Sequence, residues 1–211
     1  MQRQWRLVLL LLGAAALVCP ARAQQPSPPA AAAPAKPKPA PKPAPKPAAP
    51  KSAAAPAAAV AGGAQPKLLG QYGPWGAYTA SPGGKKTCFA IAKPASSETN
   101  PPNRPRNPVY MFISTRPADK VSNEVSIVIG YPFKPGSDAA AQIGSTSFAL
   151  YTQQDGAWIK NAAEEAHMVD AMRTAESAVI RGVSVKGTQS TDTYTLKGVA
   201  QALDRTGQEC K

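Results

Sequence analysis

From Gln24 to Pro66 the sequence carries 13 prolines and no large apolar side chain, and this stretch limits what the chain can fold into. Each proline removes a backbone donor and fixes φ, so neither a helix nor a sheet ladder can run through it. With nothing to bury, such a segment is expected to stay extended and solvated as polyproline II. At ~3.1 Å per residue it reaches on the order of 130 Å. Residues 24–67 are therefore read as a disordered Pro/Ala/Lys-rich linker, and the packed core must lie in residues 68–211. Lys36, Lys38, Lys42, Lys46 and Lys51 dot this rod with one sign of charge. Beside a plain spacer, the alternative reading is an envelope structural element that engages cell-wall or outer-membrane polyanions.

The residues before the linker have the three regions of a secretory signal peptide. Arg3 and Arg6 precede the apolar run Leu7–Val18, and Ala21-Arg22-Ala23 offers small residues two apart before Gln24. Residues 1–23 are expected to be removed after Ala23. The run is too short for a spanning helix, which needs about 20 apolar residues. Cys19 leaves a second outcome open, lipidation, although Val18 before it is larger than that processing favours. No transmembrane segment is expected in the mature chain.

Charge narrows the partners. The chain holds 24 basic and 12 acidic residues, for a formal net charge of +12. Every acid falls in residues 68–211, and the leader and linker hold nine of the bases, so the body is close to neutral. A nucleic-acid surface needs its basic charge on the folded domain, and that reading is set aside.

Within the body the strand signals are frequent. Lys85–Pro94, KKTCFAIAKP, reads as a strand with one buried face between turn residues. Gln71–Tyr78 reads as an edge strand kinked at Pro74. Val109–Thr115 is a near-continuous apolar run, as in a strand buried on both faces. Glu124–Tyr131 alternates. Ser147–Thr152 and Ala157–Lys160 flank an Asp155-Gly156 pair, a hairpin signal that places Trp158 opposite the Leu150 region as core. Val179–Val185 and Thr191–Leu196 form a further pair. Two short helices are expected, one following Asn161 with Met168, Met172 and Ala175 inward, the other from Leu196 to Arg205 with Thr195 as cap and Val199 and Leu203 on one face. With an oxidising compartment implied by the leader, Cys88 and Cys210 are most simply a disulfide.

Candidate chemistry is sparse. His167 stands without a second histidine or a nearby cysteine, so a structural role is expected and no metal site. Glu164 and Glu165 fall in a first helical turn, where negative charge complements the helix dipole. Between Pro94 and Pro108 runs a long polar loop in which Arg104 and Arg106, held among prolines, are the candidate ligand-binding residues. The alternative is a solvated connection. No catalytic constellation and no cofactor are expected.

The ordered segments GQYGPWGAY, KTCFAIAKP, FISTRPADKVSNEVSIVIGYPFKPGSDA, DGAWIKNAAEEAHMVDAMR and YTLKGVAQALDRTGQEC together resemble the invasion-associated locus B family of exported Gram-negative proteins, over about Leu69 to Lys211. The resemblance implies an immunoglobulin-like antiparallel β-sandwich and the Cys88–Cys210 disulfide. It also implies an exported protein, periplasmic or outer-membrane associated or secreted. The function expected is non-catalytic binding of an envelope polymer or a host surface component, with a contribution to host-cell invasion or virulence.

Overall fold

The computed structural model describes residues 64–211. The expected signal peptide, Cys19 and the linker up to Gly63 lie outside these residues. Among the described residues the strands are β1 (Lys67–Tyr72), β2 (Trp75–Ala80), β3 (Thr87–Ala92), β4 (Ser96–Asn100), β5 (Tyr110–Arg116) and β6 (Val121–Val128), followed by β7 (Ala139–Ile143), β8 (Thr146–Gln153), β9 (Gly156–Ile159), β10 (Ser177–Val183) and β11 (Gln189–Thr195). Two helices, α1 (Glu165–Thr174) and α2 (Val199–Glu209), complete the fold. The strands form one 11-stranded sheet in the order β1-β2-β3-β5-β6-β9-β8-β7-β10-β11-β4. All its neighbouring pairs are antiparallel.

Side chains alternate across each strand, and one set from nearly every strand meets in a common core. Met111, Ile113, Val125 and Ile127 from one half of the sheet share that core with Ile143, Phe148, Leu150, Ile180 and Tyr194 from the other. The sheet is therefore bent over so that its halves face each other. The Trp75 indole N–H donates to the Thr195 carbonyl at 2.9 Å, although β2 and β11 stand far apart in sheet order. This is the mainly β, antiparallel architecture with two helices expected from the sequence, built from one continuous hydrogen-bonded sheet.

The helices close the core. Met168 and Met172 of α1 and Val199, Ala202 and Leu203 of α2 are buried in it, and each large apolar side chain so buried contributes roughly 1.5–3 kcal/mol. Asn161 accepts from the Ala163 amide at 3.2 Å and starts the single 3-10 turn that leads into α1. Thr195 does not cap α2; it ends β11. The helix starts after Gly198, whose φ of +96° is glycine territory and whose Cα lies hard against the Tyr72 backbone.

Several local expectations change. The kinked edge strand is a hairpin: Gly73, at φ +60°, turns the chain between β1 and β2. β3 is buried on both faces, because it lies inside the sheet between β2 and β5. Cys88 and Ala90 point one way, while Phe89 and Ile91 join Tyr78, Ala80 and Phe112 in a second, smaller cluster. The polar run Ser96–Asn100 is no loop but β4, an edge strand on β11. Trp158 is not core. Leu150 pairs with Ile159, so Trp158 stands opposite Tyr151 on the outer face. A slip of one residue in a strand reverses every side chain.

Candidate ligand-binding cleft

Residues 101–108 leave β4 at the edge of the sheet and are fixed at several points. The Arg104 amide donates to Thr99 Oγ1 at 3.1 Å, and the Asn107 amide donates to the Gly130 carbonyl at 2.9 Å. Gly130, at φ +79°, allows this approach; a Cβ there would lie 2.1 Å from the Asn107 carbonyl oxygen. The strongest anchor is Arg106. Its guanidinium forms a two-pronged ion pair with the Asp192 carboxylate, one nitrogen at 2.9 Å, and also donates to the Ile129 carbonyl at 3.3 Å. The Arg106 side chain is 8% exposed and that of Asp192 0%. Ser97 Oγ donates to the same carboxylate at 2.6 Å. A carboxylate out of water needs such donors on its lone pairs, and the planar guanidinium fork matches it.

Facing this loop is the turn between β10 and β11. Gly187, at φ +79°, closes it, and the Ser184 hydroxyl oxygen accepts from the Thr188 amide at 3.1 Å. The Val185 amide donates to the Pro132 carbonyl at 3.0 Å, which ties the turn to the chain after β6. Between loop and turn lies a cleft of about 450 Å³. Pro101, Arg104 and Pro105 form one wall, Val185, Lys186 and Thr188 the other, with Tyr131 between.

Arg104 and Lys186 are exposed at this cleft, and no carboxylate is among the residues that line it. Tyr131 Oη and Ser190 Oγ share a hydrogen bond of 2.6 Å, and the Arg106 guanidinium lies 5.9 Å from the Tyr131 ring centre. Burial raises the phenol pKa above its usual value, against the smaller lowering effects of Ser190 and Arg106. Tyr131 thus stays neutral and packs.

The structure separates the two arginines singled out in the sequence. Arg104 lines the cleft with a free-standing, exposed side chain, whereas Arg106 lines it from behind with its charge committed to Asp192. Sequence reasoning passed over Asp192, Tyr131 and Lys186. Asp192 lies in a strand that reads QSTDTYT, and an aspartate at a buried strand position was the available signal that a cation must pair with it.

The other residues considered lie elsewhere. Cys88 and Cys210 are joined by a disulfide, Cα to Cα 5.9 Å, across a sequence separation of 122. His167 is exposed on α1 with its ring edge-on to Phe148 at 5.5 Å. Glu165 does more than begin a helix: its Oε1 accepts from the Val125 amide of β6 at 2.8 Å, and burial raises its pKa against that hydrogen bond. Among the described residues no group of three or more His, Cys, Asp or Glu is placed to hold a metal ion. None of the described helices is long and apolar enough to cross a membrane.

Fold and cleft together define a disulfide-closed antiparallel β domain with a cationic cleft at one sheet edge. The model of the invasion associated locus B (IalB) protein family matches residues 75–207. That is more than half of the chain, and the chain belongs to this family. Among solved structures it is similar to the crystal structure of invasion associated protein B from Bartonella henselae, with 16% identity and a TM-score of 0.48 over 66% of this chain and 95% of that one. Comparison with curated proteins finds no match.

Proposed function

We propose that the protein is exported and serves as a non-catalytic binding module of the cell envelope or the host interface, with an invasion-associated role, and that its cleft takes an acidic polymer. The observation that carries this reading is the pairing of exposed Arg104 and Lys186, from two separate segments, at one cleft lined by no carboxylate. Two exposed cations carried on a hydrogen-bonded loop and turn suit a repeating anion, because the backbone that presents them is already ordered. Membership of the invasion associated family supports the invasion-associated role, and the disulfide fits an oxidising compartment outside the cytosol. The non-catalytic reading draws support from the cleft's own groups: a neutralised Arg106, a tyrosine held protonated, and two exposed cations.

The test is binding of the purified full chain to two probes, a sulfated heparin fragment for the host side and lipopolysaccharide for the envelope side. The Arg104→Ala/Lys186→Ala double variant is expected to bind one of them roughly tenfold more weakly, at about 1 kcal/mol per exposed charge contact at most. Equal affinity of both proteins for both probes would remove the cleft from the proposal.

A further inference from the structure

The outer face of the sheet carries a second hollow that shares no lining residue with the cleft. It holds about 230 Å³ over β7, β10 and β11, and Asp138, Ala140, Arg181, Val183, Gln189 and Thr191 are among the residues that line it. Strand pairing assembles this set. Arg181 stands opposite Ala140 on one side and Thr191 on the other, and Val183 stands opposite Gln189. Alternation along each strand turns these side chains away from the core.

One edge of the hollow meets an aromatic pair. Ala139 pairs with Leu150, which brings Asp138 alongside Tyr151. Tyr151 stacks on Trp158 of β9 at 5.5 Å, with the ring planes 22° apart. Trp158 takes one face of the phenol ring, and Tyr151 remains 47% exposed. The indole is itself held in place, because it packs against Gly156 where a Cβ would strike it. Lys160, two residues beyond Trp158 on the same face, forms an ion pair with Asp138 at 3.6 Å. A carboxylate, a guanidinium, an amide and a hydroxyl therefore lie beside an open aromatic surface.

We infer that this hollow is a sugar site, taking an uncharged, β-linked glycan of glucose configuration. One pyranose ring stacks on Tyr151 and turns its hydroxyl rim towards Asp138, Arg181 and Gln189. The surface asks for a ligand that is apolar on its face and polar all round its edge. A pyranose with equatorial substituents has that form, since C–H bonds make up its faces and each hydroxyl both donates and accepts. It donates to the Asp138 carboxylate and accepts from Arg181 and Gln189. An equatorial linkage to the next unit leaves the stacking face open. Charge argues against other occupants. The Asp138 carboxylate repels an anionic polymer, in contrast to the acid-free cleft, and covering the ion pair with a lipid tail or an apolar peptide costs its hydration. Tyr151 and Trp158 suit the task, because each offers a large contact area with only two torsions to freeze.

Titration of the full chain with chitotetraose, which is uncharged, β-linked and of glucose configuration, tests the assignment by saturation-transfer NMR. Saturable binding is expected, with transfer strongest to the protons on one pyranose face. Tyr151→Ala is expected to weaken binding about tenfold, the scale of one aromatic contact. Tyr151→Phe keeps the ring and is expected to keep the affinity. Arg104→Ala/Lys186→Ala alters only the cleft and is expected to leave chitotetraose binding unchanged, whatever becomes of the acidic polymer. Absence of saturable binding to the unaltered chain overturns the inference. So does a Tyr151→Phe variant that binds as weakly as Tyr151→Ala, or a cleft variant that loses chitotetraose to the same degree.

Discussion

Arg104 and Arg106 stand two residues apart among prolines and have opposite duties. The Arg106 side chain is out of water against a carboxylate that is fully out of water. Removing the cation leaves Asp192 buried and short of donors, and breaking such a pair costs about 3–5 kcal/mol. Arg106→Ala is therefore expected to lower unfolding stability by about that amount in urea titrations, and Arg106→Lys to recover part of it, since an ammonium keeps the charge but loses the planar fork. Arg104→Ala is expected to stay within about 0.5 kcal/mol of the unaltered protein, as exposed substitutions usually do. Equal stability of the Arg106→Ala and Arg104→Ala variants would refute this division. The sequence offered both arginines as presented cations. It could not distinguish them, because the partner that claims Arg106 lies 86 residues away in a strand of hydroxyl-bearing residues.

At the scale of elements, Glu165 joins α1 to the sheet. Its carboxylate accepts from the Val125 amide of β6, while burial, and less so the nearby Glu124, push its pKa above the ordinary value. The folded protein thus holds the Glu165 proton more tightly than the unfolded chain does. Stability linked to this group is full at acid pH, below the unfolded pKa, and declines as pH rises through the raised folded value. Glu165→Gln keeps an oxygen acceptor for the Val125 amide and carries no charge. It is expected to gain on the unaltered protein at neutral pH, with the difference closing as pH falls below the usual glutamate range. Melting temperatures across pH 3 to 8 check the direction, and a gap that widened on acidification would contradict it. Elements like this were unevenly legible. β5 was plain, because Met111, Phe112 and Ile113 form an apolar run buried on both faces. β4 was not, because an edge strand of Ser, Glu, Thr and Asn buries almost nothing and its identity comes from pairing with β11. β7 was missed for the opposite reason: Ala139 and Ala141 are buried, yet alanine carries no strand preference. Trp158 shows the limit of register. The two turn residues of its hairpin are Gln154 and Asp155, and Gly156 already belongs to β9, where a Cβ would lie 2.3 Å from the Trp158 ring. The Asp-Gly pair announced a hairpin, but the glycine serves the tryptophan and the ring goes outward.

For the whole molecule, the disulfide encloses almost the entire sheet. Cys88 is in β3, beside the first hairpin, and Cys210 closes α2 at the far end of the chain. Both ends of that loop are already well packed: Cys88 is 0% exposed, and Val199, Ala202 and Leu203 hold α2 in the core. The native contacts therefore persist without the bond, and its main effect falls on the unfolded chain. For a loop of about 120 residues the chain-entropy relation gives about 5 kcal/mol, an upper figure. Cys88→Ala/Cys210→Ala is expected to fold to the same sheet, with unaltered near-ultraviolet dichroism, and to unfold at a markedly lower urea concentration. The urea m-value should rise at the same time, because the released chain exposes more surface than the cross-linked one. The two readings together locate the effect. A lower midpoint with an unchanged m-value, or loss of tertiary structure before any denaturant is added, would place the contribution of the bond in the native packing of α2 on β3 instead. Under the first outcome the edge loop and the turn between β10 and β11 keep their register without the bond, since the packing that holds them survives reduction.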